Sequence, residues 1–253
     1  MIRATRLRGS VDSVASCWIV GRVMRLPGQK AGRLGVGLAI ATLAWAAPGG
    51  NPSSAGRPLH PVVWTFDTLA SIGGYTPTVL GTPRLTEAGH ALWFNGVDAG
   101  LILAVNPLAG LREFTIEVLL DPAAGGGAAQ RFFHAEDEGA SRVLLEIRQA
   151  REGRWALDTF LFSGRSGLAL LDRTKLHPTG RWHWVALRYD GQRMTSYVNG
   201  QMELEGTLEF SPMKPGRTSL GVRLNQVSWF KGAIREVRIH PTALDGAALQ
   251  RVP

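Results

Sequence analysis

Cleaving a glycosidic bond with retention takes two carboxyl groups about 5–5.5 Å apart. On a β-strand, residues two or four apart share a face, so acids at that spacing are the first chemistry to look for. The nearest acidic cluster is HAEDEG at 134–139, with Glu136 and Glu138 two apart. Gly139 follows at once, and the stretch reads as a hairpin loop between RFFHA (131–135) and RVLLEIRQ (142–149). A carboxylate pair becomes catalytic only in a cleft that perturbs its pKa, so a solvated turn is the plainer reading. A nucleophilic serine would need a Gly-x-Ser-x-Gly elbow between strand and helix. FSGRSG (162–167) does not match it, and no helix pattern follows. The six histidines, His60, His90, His134, His177, His183 and His240, show no metal-ligand spacing. AAGGGAA (123–129) lacks the Gly-Lys-Ser/Thr ending of a phosphate-cradling loop. No catalytic residue is assigned.

Sugar recognition is the other chemistry these residue types allow. It needs exposed aromatic faces that stack on pyranose rings beside polar groups. The candidates are Trp93, Trp155 and Trp229. Trp229 leads, because it sits at a loop end just before a strand. Core packing is the competing reading for each of them.

The elements that must position such residues are strands. GRWHWVALRYDGQRMTSYVNGQ (180–201) shows this most clearly. In a strand, His183, Val185, Leu187 and Tyr189 share one face, the more apolar one, which is taken as the core face. Asp190-Gly191 and Asn199-Gly200 are turn signals, the second being the strongest short hairpin signal. Two adjacent hairpins make an antiparallel meander. Further strand candidates are 62–67, 91–95, 100–105, 114–121, 155–162, 168–172, 218–224 and 232–240, separated by Gly, Pro, Asn and Asp. Phe114, Ile116, Val118 and Leu120 alternate onto one face. A short helical turn near 243–250 is the only helix signal. Many short strands without intervening helices predict an all-β sandwich or barrel.

The formal charge of +8 raises the question of nucleic acid. Residues 1–47 hold seven basic residues and one acid, so six of the eight excess charges belong to that leader. The remainder is close to neutral, and no nucleic-acid partner is expected. The leader has the form of a secretory signal: Arg25, Lys30 and Arg33, then the uncharged apolar run LGVGLAIATLAWA (34–46), then small residues. The run is short for a membrane span, and an uncleaved anchor is the alternative. Met24 is a candidate true start. Cys17 is the single cysteine, and the preceding segment, with Asp12 and no apolar run, does not make a lipoprotein box. A chain without the leader has no disulfide and no thiolate metal site. Residues 48–60 read as a flexible linker, and 61–253 as one domain.

With the strands in this order, the chain resembles the laminin-G-like branch of the concanavalin A-like lectin/glucanase superfamily. The pieces that carry the resemblance are FNGVD (94–98), FTIEVLLDP (114–122), GRWHWVALRYDG (180–191), SYVNG (196–200) and WFKGAIREVRIHPTALD (229–245). It implies a jelly-roll sandwich of two antiparallel sheets. Trp182 and Trp184 fall in the family's ribbon, and the resemblance assigns both to structure. It also implies a Ca2+ site at the sandwich rim, which places Asn95 and Asp98 as candidate oxygen ligands against plain turn closure. The Glu-x-Asp-x-x-Glu strand of laminarinase-type members is absent. So is the Gln-Ile-His motif of alginate-lyase-type jelly rolls, although WFKG echoes their second motif. The expectation is an exported, non-catalytic module that binds a glycan or a surface protein, without stable membrane insertion once the leader is removed. A polysaccharide hydrolase or lyase and a purely structural interaction domain are the alternatives.

Overall fold

The structure, a computed structural model, describes residues 60–252 apart from 89, 152 and 165. The leader with its signal run, Met24 and Cys17, and the linker as far as residue 59, lie outside the described residues. Sixteen strands follow one another: β1 (Val62–Thr65), β2 (Thr78–Leu80), β3 (Arg84–Leu85), β4 (Leu92–Asn95), β5 (Gly100–Leu103), β6 (Phe114–Pro122), β7 (Ala129–Asp137) and β8 (Arg142–Gln149). Then come β9 (Arg154–Ser163), β10 (Ser166–Leu171), β11 (His177–Pro178), β12 (His183–Tyr189), β13 (Arg193–Val198), β14 (Gln201–Thr207), β15 (Gly216–Leu220) and β16 (Lys231–His240). The strands form two antiparallel sheets. One runs β14-β13-β12-β6-β16-β4-β3, with β1 beside β16. The other runs β10-β9-β8-β7-β15-β5-β2, with β11 beside β9.

Period-two alternation decides which residues meet between the sheets. Phe114, Ile116, Val118 and Leu120 of β6 are fully buried in the core, as are Val185, Leu187 and Tyr189 of β12. They face Phe133, Val143, Leu145 and Ile147 of β7 and β8 in the same cluster. Burying each such side chain contributes roughly 1.5–3 kcal/mol. The Asn199-Gly200 turn forms as its residues predict, with φ of 50° and 72°, the left-handed pair of a two-residue hairpin.

Three local differences from the sequence reading have physical causes. HAEDEG is not a loop: His134–Asp137 belong to β7, and the turn begins at Glu138. Asp137 makes that turn tight, its Oδ1 accepting from Gly139 N (2.7 Å) and Ser141 N (2.9 Å). Its Oδ2 accepts from Lys214 N at 2.8 Å. The C-terminal helical turn shrinks to a single 3-10 turn, Gly246–Ala248. The tail around it runs over the outer face of the β12 sheet. Leu244 N donates to Thr115 Oγ1 (2.9 Å), Arg188 Nε to Leu244 O (3.0 Å) and Gln250 N to Glu117 Oε1 (2.7 Å). Leu249 packs on Ala186 and Tyr197.

Candidate functional site

A cleft of about 520 Å³ lies beside the start of β12, where residues of that sheet meet Pro178 of β11. It is lined by Leu119, Pro178, Arg181, Trp182, His183, Trp184, Asn199, Arg235 and Val252. Two features of the backbone assemble it. On β12 Trp184 alternates with the core residues Val185 and Leu187, and Trp182, just before the strand, lines the cleft with it. On β16 the register slips between Ile234 and Glu236, so that Arg235 and Glu236 together oppose Leu119. A bulge of this kind re-aims a side chain, and here it brings Arg235 to the cleft.

The aromatic wall is held from behind. Asn199 Oδ1 accepts from Trp184 N (2.9 Å), and Asn199 N donates to Trp184 O (2.6 Å). The Arg238 guanidinium lies 5.2 Å over the Trp184 ring, and Glu236 pairs with it from the same strand. His183 has Nε2 3.0 Å from Pro178 O and Nδ1 3.4 Å from Asn199 Nδ2. These partners place the proton on Nε2 and leave Nδ1 as acceptor. Burial holds the imidazole below its ordinary pKa, against the pull of the Pro178 carbonyl. Arg181 and Arg235 are exposed and have no ion-pair partner among the described residues. Among the described residues the cleft lining contains no carboxylate.

The outer face of the other sheet holds an ionic cluster. Arg131, Glu146 and Asp158 form one cross-strand row of β7, β8 and β9. Arg131 Nε lies 2.8 Å from Glu146 Oε1, and Arg148 Nη2 lies 3.1 Å from Glu146 Oε2. Arg148 Nε donates to Asp158 Oδ2 at 2.6 Å. Both carboxylates are buried, and burial pushes both pKa values up, with the Asp158 charge adding to the shift of Glu146. One row along, buried His134 lies 3.3 Å from Glu136 and accepts from Leu224 N at 3.1 Å. Phe160 and Phe162 stack nearby with ring centroids 6.3 Å apart, and Arg142 covers Phe162 at 4.9 Å. A carboxylate pair therefore exists, but across two strands rather than along one.

The structure does not gather Trp93, Trp155 and Trp229 into one place. Trp155 is fully buried. Its Nε1 donates to Pro178 O at 3.1 Å, and its ring packs on His177 (4.8 Å) and His183 (5.2 Å). It presents no face to a ligand; it braces the cleft from the core side. Trp93 is half-buried on the outer face of the β12 sheet, in register with Ala233, which in turn faces Asp121. Trp229 is half-buried at the other end of the loop before β16, against Gly100. Trp182 and Trp184, assigned to structure from sequence, both line the cleft: Trp184 is buried, 7% exposed, with Arg238 over its ring, whereas Trp182 is half-buried and is the more accessible indole.

At the Asn95–Asp98 turn, Asn95 Oδ1 accepts from the N–H groups of Val97 (2.9 Å), Asp98 (3.1 Å) and Ala99 (3.1 Å). Asn95 Nδ2 donates to Asp98 Oδ1 at 2.7 Å. Ca2+ takes six to eight oxygens. A cation here would have to draw Asn95 Oδ1 away from three donors, so these residues do not fit the ion; they close the turn. Among the described residues no group of three or more His, Cys, Asp or Glu side chains could hold a metal.

Strand order and a closed core between two antiparallel sheets define a jelly-roll sandwich. The chain belongs to the concanavalin A-like lectin/glucanases superfamily, whose laminin-G description matches residues 95–250. Among solved structures, it is similar to domain 4 of AbnA, an extracellular GH43 arabinanase of Geobacillus stearothermophilus, in complex with arabinotriose. Identity is 24%, the TM-score 0.54, and coverage 74% of this chain and 94% of that one. The ligand-binding domain of botulinum neurotoxin serotype D, in complex with N-acetylneuraminic acid, is 16% identical with a TM-score of 0.56, over 74% of this chain and 48% of that one. The serotype G binding domain is 9% identical with a TM-score of 0.56, over 74% and 48%. The chain thus spans about half the length of either toxin domain. At these identities the likeness carries the fold. No curated protein matches the chain.

Proposed function

We propose that this chain is an exported, non-catalytic carbohydrate-binding module, and that the cleft of Trp182 and Trp184 is its ligand site. The observation that carries the reading is the half-buried indole of Trp182 beside the exposed guanidinium groups of Arg181 and Arg235, in a cleft whose described lining holds no carboxylate. Indoles stack on the apolar faces of sugar rings, while flanking donors take the hydroxyls. Two similar folds, solved with arabinotriose and with N-acetylneuraminic acid, support a glycan partner over a surface protein. Export rests on the signal run at 34–46.

The test is calorimetric titration of the purified protein with soluble polysaccharides, alongside Trp182→Ala. An aromatic contact adds about 0.5–1.5 kcal/mol, so the variant should bind roughly three- to tenfold more weakly with an unchanged melting temperature. Saccharide binding that survives Trp182→Ala intact would refute the site.

One observation favours a second reading, hydrolysis. Glu146 and Asp158 are cross-strand neighbours, with burial raising both pKa values. Against it, Arg148 contacts both carboxylates and Arg131 holds Glu146, so neither is left to donate or accept a proton. Release of reducing ends that disappears in Glu146→Gln would establish the hydrolase and displace the binding reading.

A further inference from the structure

We propose that an acid-sensitive latch centred on His183 joins the two sheets beside the cleft, and that protonation of His183 releases it. β12 belongs to one sheet, while β9 and β11 belong to the other. A directed chain of hydrogen bonds runs between them. Trp184 N donates to Asn199 Oδ1 at 2.9 Å, and Asn199 Nδ2 lies 3.4 Å from His183 Nδ1. His183 Nε2 lies 3.0 Å from Pro178 O, which also accepts from Trp155 Nε1 at 3.1 Å. From Trp184 to Pro178 each donor points the same way, so an imidazole fits the middle only when Nε2 carries its sole proton. Aromatic rings close the seam around these bonds. Trp155 meets His177 at 4.8 Å and His183 at 5.2 Å, and the two imidazoles lie 5.8 Å apart. His177 Nε2 reaches Glu203 Oε1 of β14 at 2.7 Å, a second tie between the sheets.

A second proton must go on Nδ1, and there it meets the Asn199 amide, itself a donor. Turning that amide round would offer Oδ1 to His183 but aim Nδ2 at the Trp184 N–H, so one link breaks either way. The surrounding charges give no relief. Arg181 precedes β12, His177 stands on β11, Arg235 of β16 lines the same cleft, and Arg251 of the tail lies against Gly200. Of the nearby carboxylates, Glu203 is engaged by His177. Asp121 is one residue past Leu120, which pairs with His183, and burial pushes its carboxyl up, which disfavours a charge there. His183 is 5% exposed. Burial first, then the charges of His177 and Arg181, hold its imidazole below the ordinary value of 6.5, against the pull of the Pro178 carbonyl. Opening the latch exposes the ring to water and restores that value. The open state therefore takes up the proton first as pH falls below 6.5. Its share should grow by up to about tenfold per pH unit, until the closed imidazole titrates as well. Pro178, His183 and Asn199 all line the cleft, so acidification parts its wall whatever the cleft holds.

The experiment is amide hydrogen exchange of the full chain from about pH 7.5 to about pH 5, read by mass spectrometry as protection factors, which remove the intrinsic pH dependence of exchange. Peptides covering 176–186 and 196–203 report on the latch, and peptides covering 114–120 and 143–147 on the core. Below pH 6.5 the latch should lose protection by up to roughly tenfold per pH unit and stay less protected than the core. His183→Gln keeps a donor and an acceptor but no titratable proton, and should flatten the slope at the latch. His134→Gln, a change on β7, should leave that slope as it is. Asn199→Asp should reverse it: one carboxylate oxygen still accepts from Trp184 N, and the other accepts from a protonated Nδ1, so protection rises as pH falls. Asp tolerates the left-handed φ of 50° at this position. Latch amides that stay equally protected across the range would overturn the proposal. So would a slope that persists in His183→Gln, or that Asn199→Asp leaves unaltered. Latch amides that exchange only together with the core would also overturn it, in favour of global unfolding.

Discussion

Tyr189 is fully buried, and its hydroxyl does two things at once. It donates to Leu208 O at 2.9 Å and accepts from Phe210 N at 3.1 Å. One oxygen thus ties β12, the strand that presents Trp184, to the segment leaving β14. The ring also meets Phe114 at 5.8 Å and Phe210 at 5.7 Å. Tyr189→Phe keeps those ring contacts and nearly all the volume, so it isolates the hydroxyl. The carbonyl of Leu208 and the N–H of Phe210 are then left without this partner in the core. Each such orphan costs about 1–3 kcal/mol, and some relaxation offsets part of it, giving a loss of about 2–4 kcal/mol. A domain of this size shifts its melting temperature by about 2–4 °C per kcal/mol, so the midpoint should fall by roughly 4–16 °C. Urea unfolding followed by tryptophan fluorescence measures the loss directly, and the m-value should not change. The wild type carries a second signature. Burial raises the Tyr189 hydroxyl above the ordinary value of 10.0. The unfolded chain therefore loses that proton first, and stability declines as pH rises past about 10. The Phe variant should lack that part of the decline. A loss below about 0.5 kcal/mol would show that the two backbone groups have other partners and that this junction does not depend on the hydroxyl.

Three other outcomes follow from the structure. Burial holds His134 below its ordinary pKa, against the opposing pull of Glu136. The unfolded chain takes up that proton near pH 6.5, so stability should fall as pH drops below that value, by at most about 1.4 kcal/mol per pH unit. His134→Gln should flatten this slope in urea titrations between pH 5 and 7; an unaltered slope would mean that His134 does not set it. Gly221 has φ of 76°, and a Cβ there would stand 2.2 Å from Phe94 Cδ1. Gly221→Ala should cost about 2 kcal/mol or more in calorimetry, and a neutral result would contradict the packing of Phe94. Ca2+ or a chelator should leave the melting temperature unmoved, since Asn95 Oδ1 is occupied by three N–H donors. A Ca2+ shift that vanishes in Asp98→Ala would restore the rim metal site.

Where side chains alternate and a sharp turn follows, the strands can be read from sequence alone. β6 and β12 are such cases: Ile116, Val118, Val185 and Leu187 all lie in the core as their alternation requires. β14 is harder, because an edge strand with no fully buried residue carries almost no hydrophobic pattern. β3 and β11, two residues each, are too short to have a period. The candidate site was less legible for a different reason. Arg181, Trp182, Trp184 and Asn199 are close in sequence, but Leu119, Arg235 and Val252 join them only through strand register, a bulge and the path of the tail. The Glu146–Asp158 pair likewise depends on the β8–β9 register, which no spacing along one strand reveals. Trp155 shows the opposite error. An indole at a strand start looks available, yet its N–H and both histidine contacts are spent inside.

The path of the C-terminal tail has a practical consequence. Past β16 the polypeptide crosses the sheet, anchored at Thr115, Glu117 and Ala186, and Val252 forms part of the cleft wall. Proteolysis just after β16 would strip Val252 from the cleft and Leu249 from Ala186 and Tyr197 at one stroke. A label or cross-link placed along residues 244–252 would disturb the same contacts. Attachment sites for biosensors and arrays are better taken from the exposed turn at Asp190-Gly191, on the far end of the β12 hairpin.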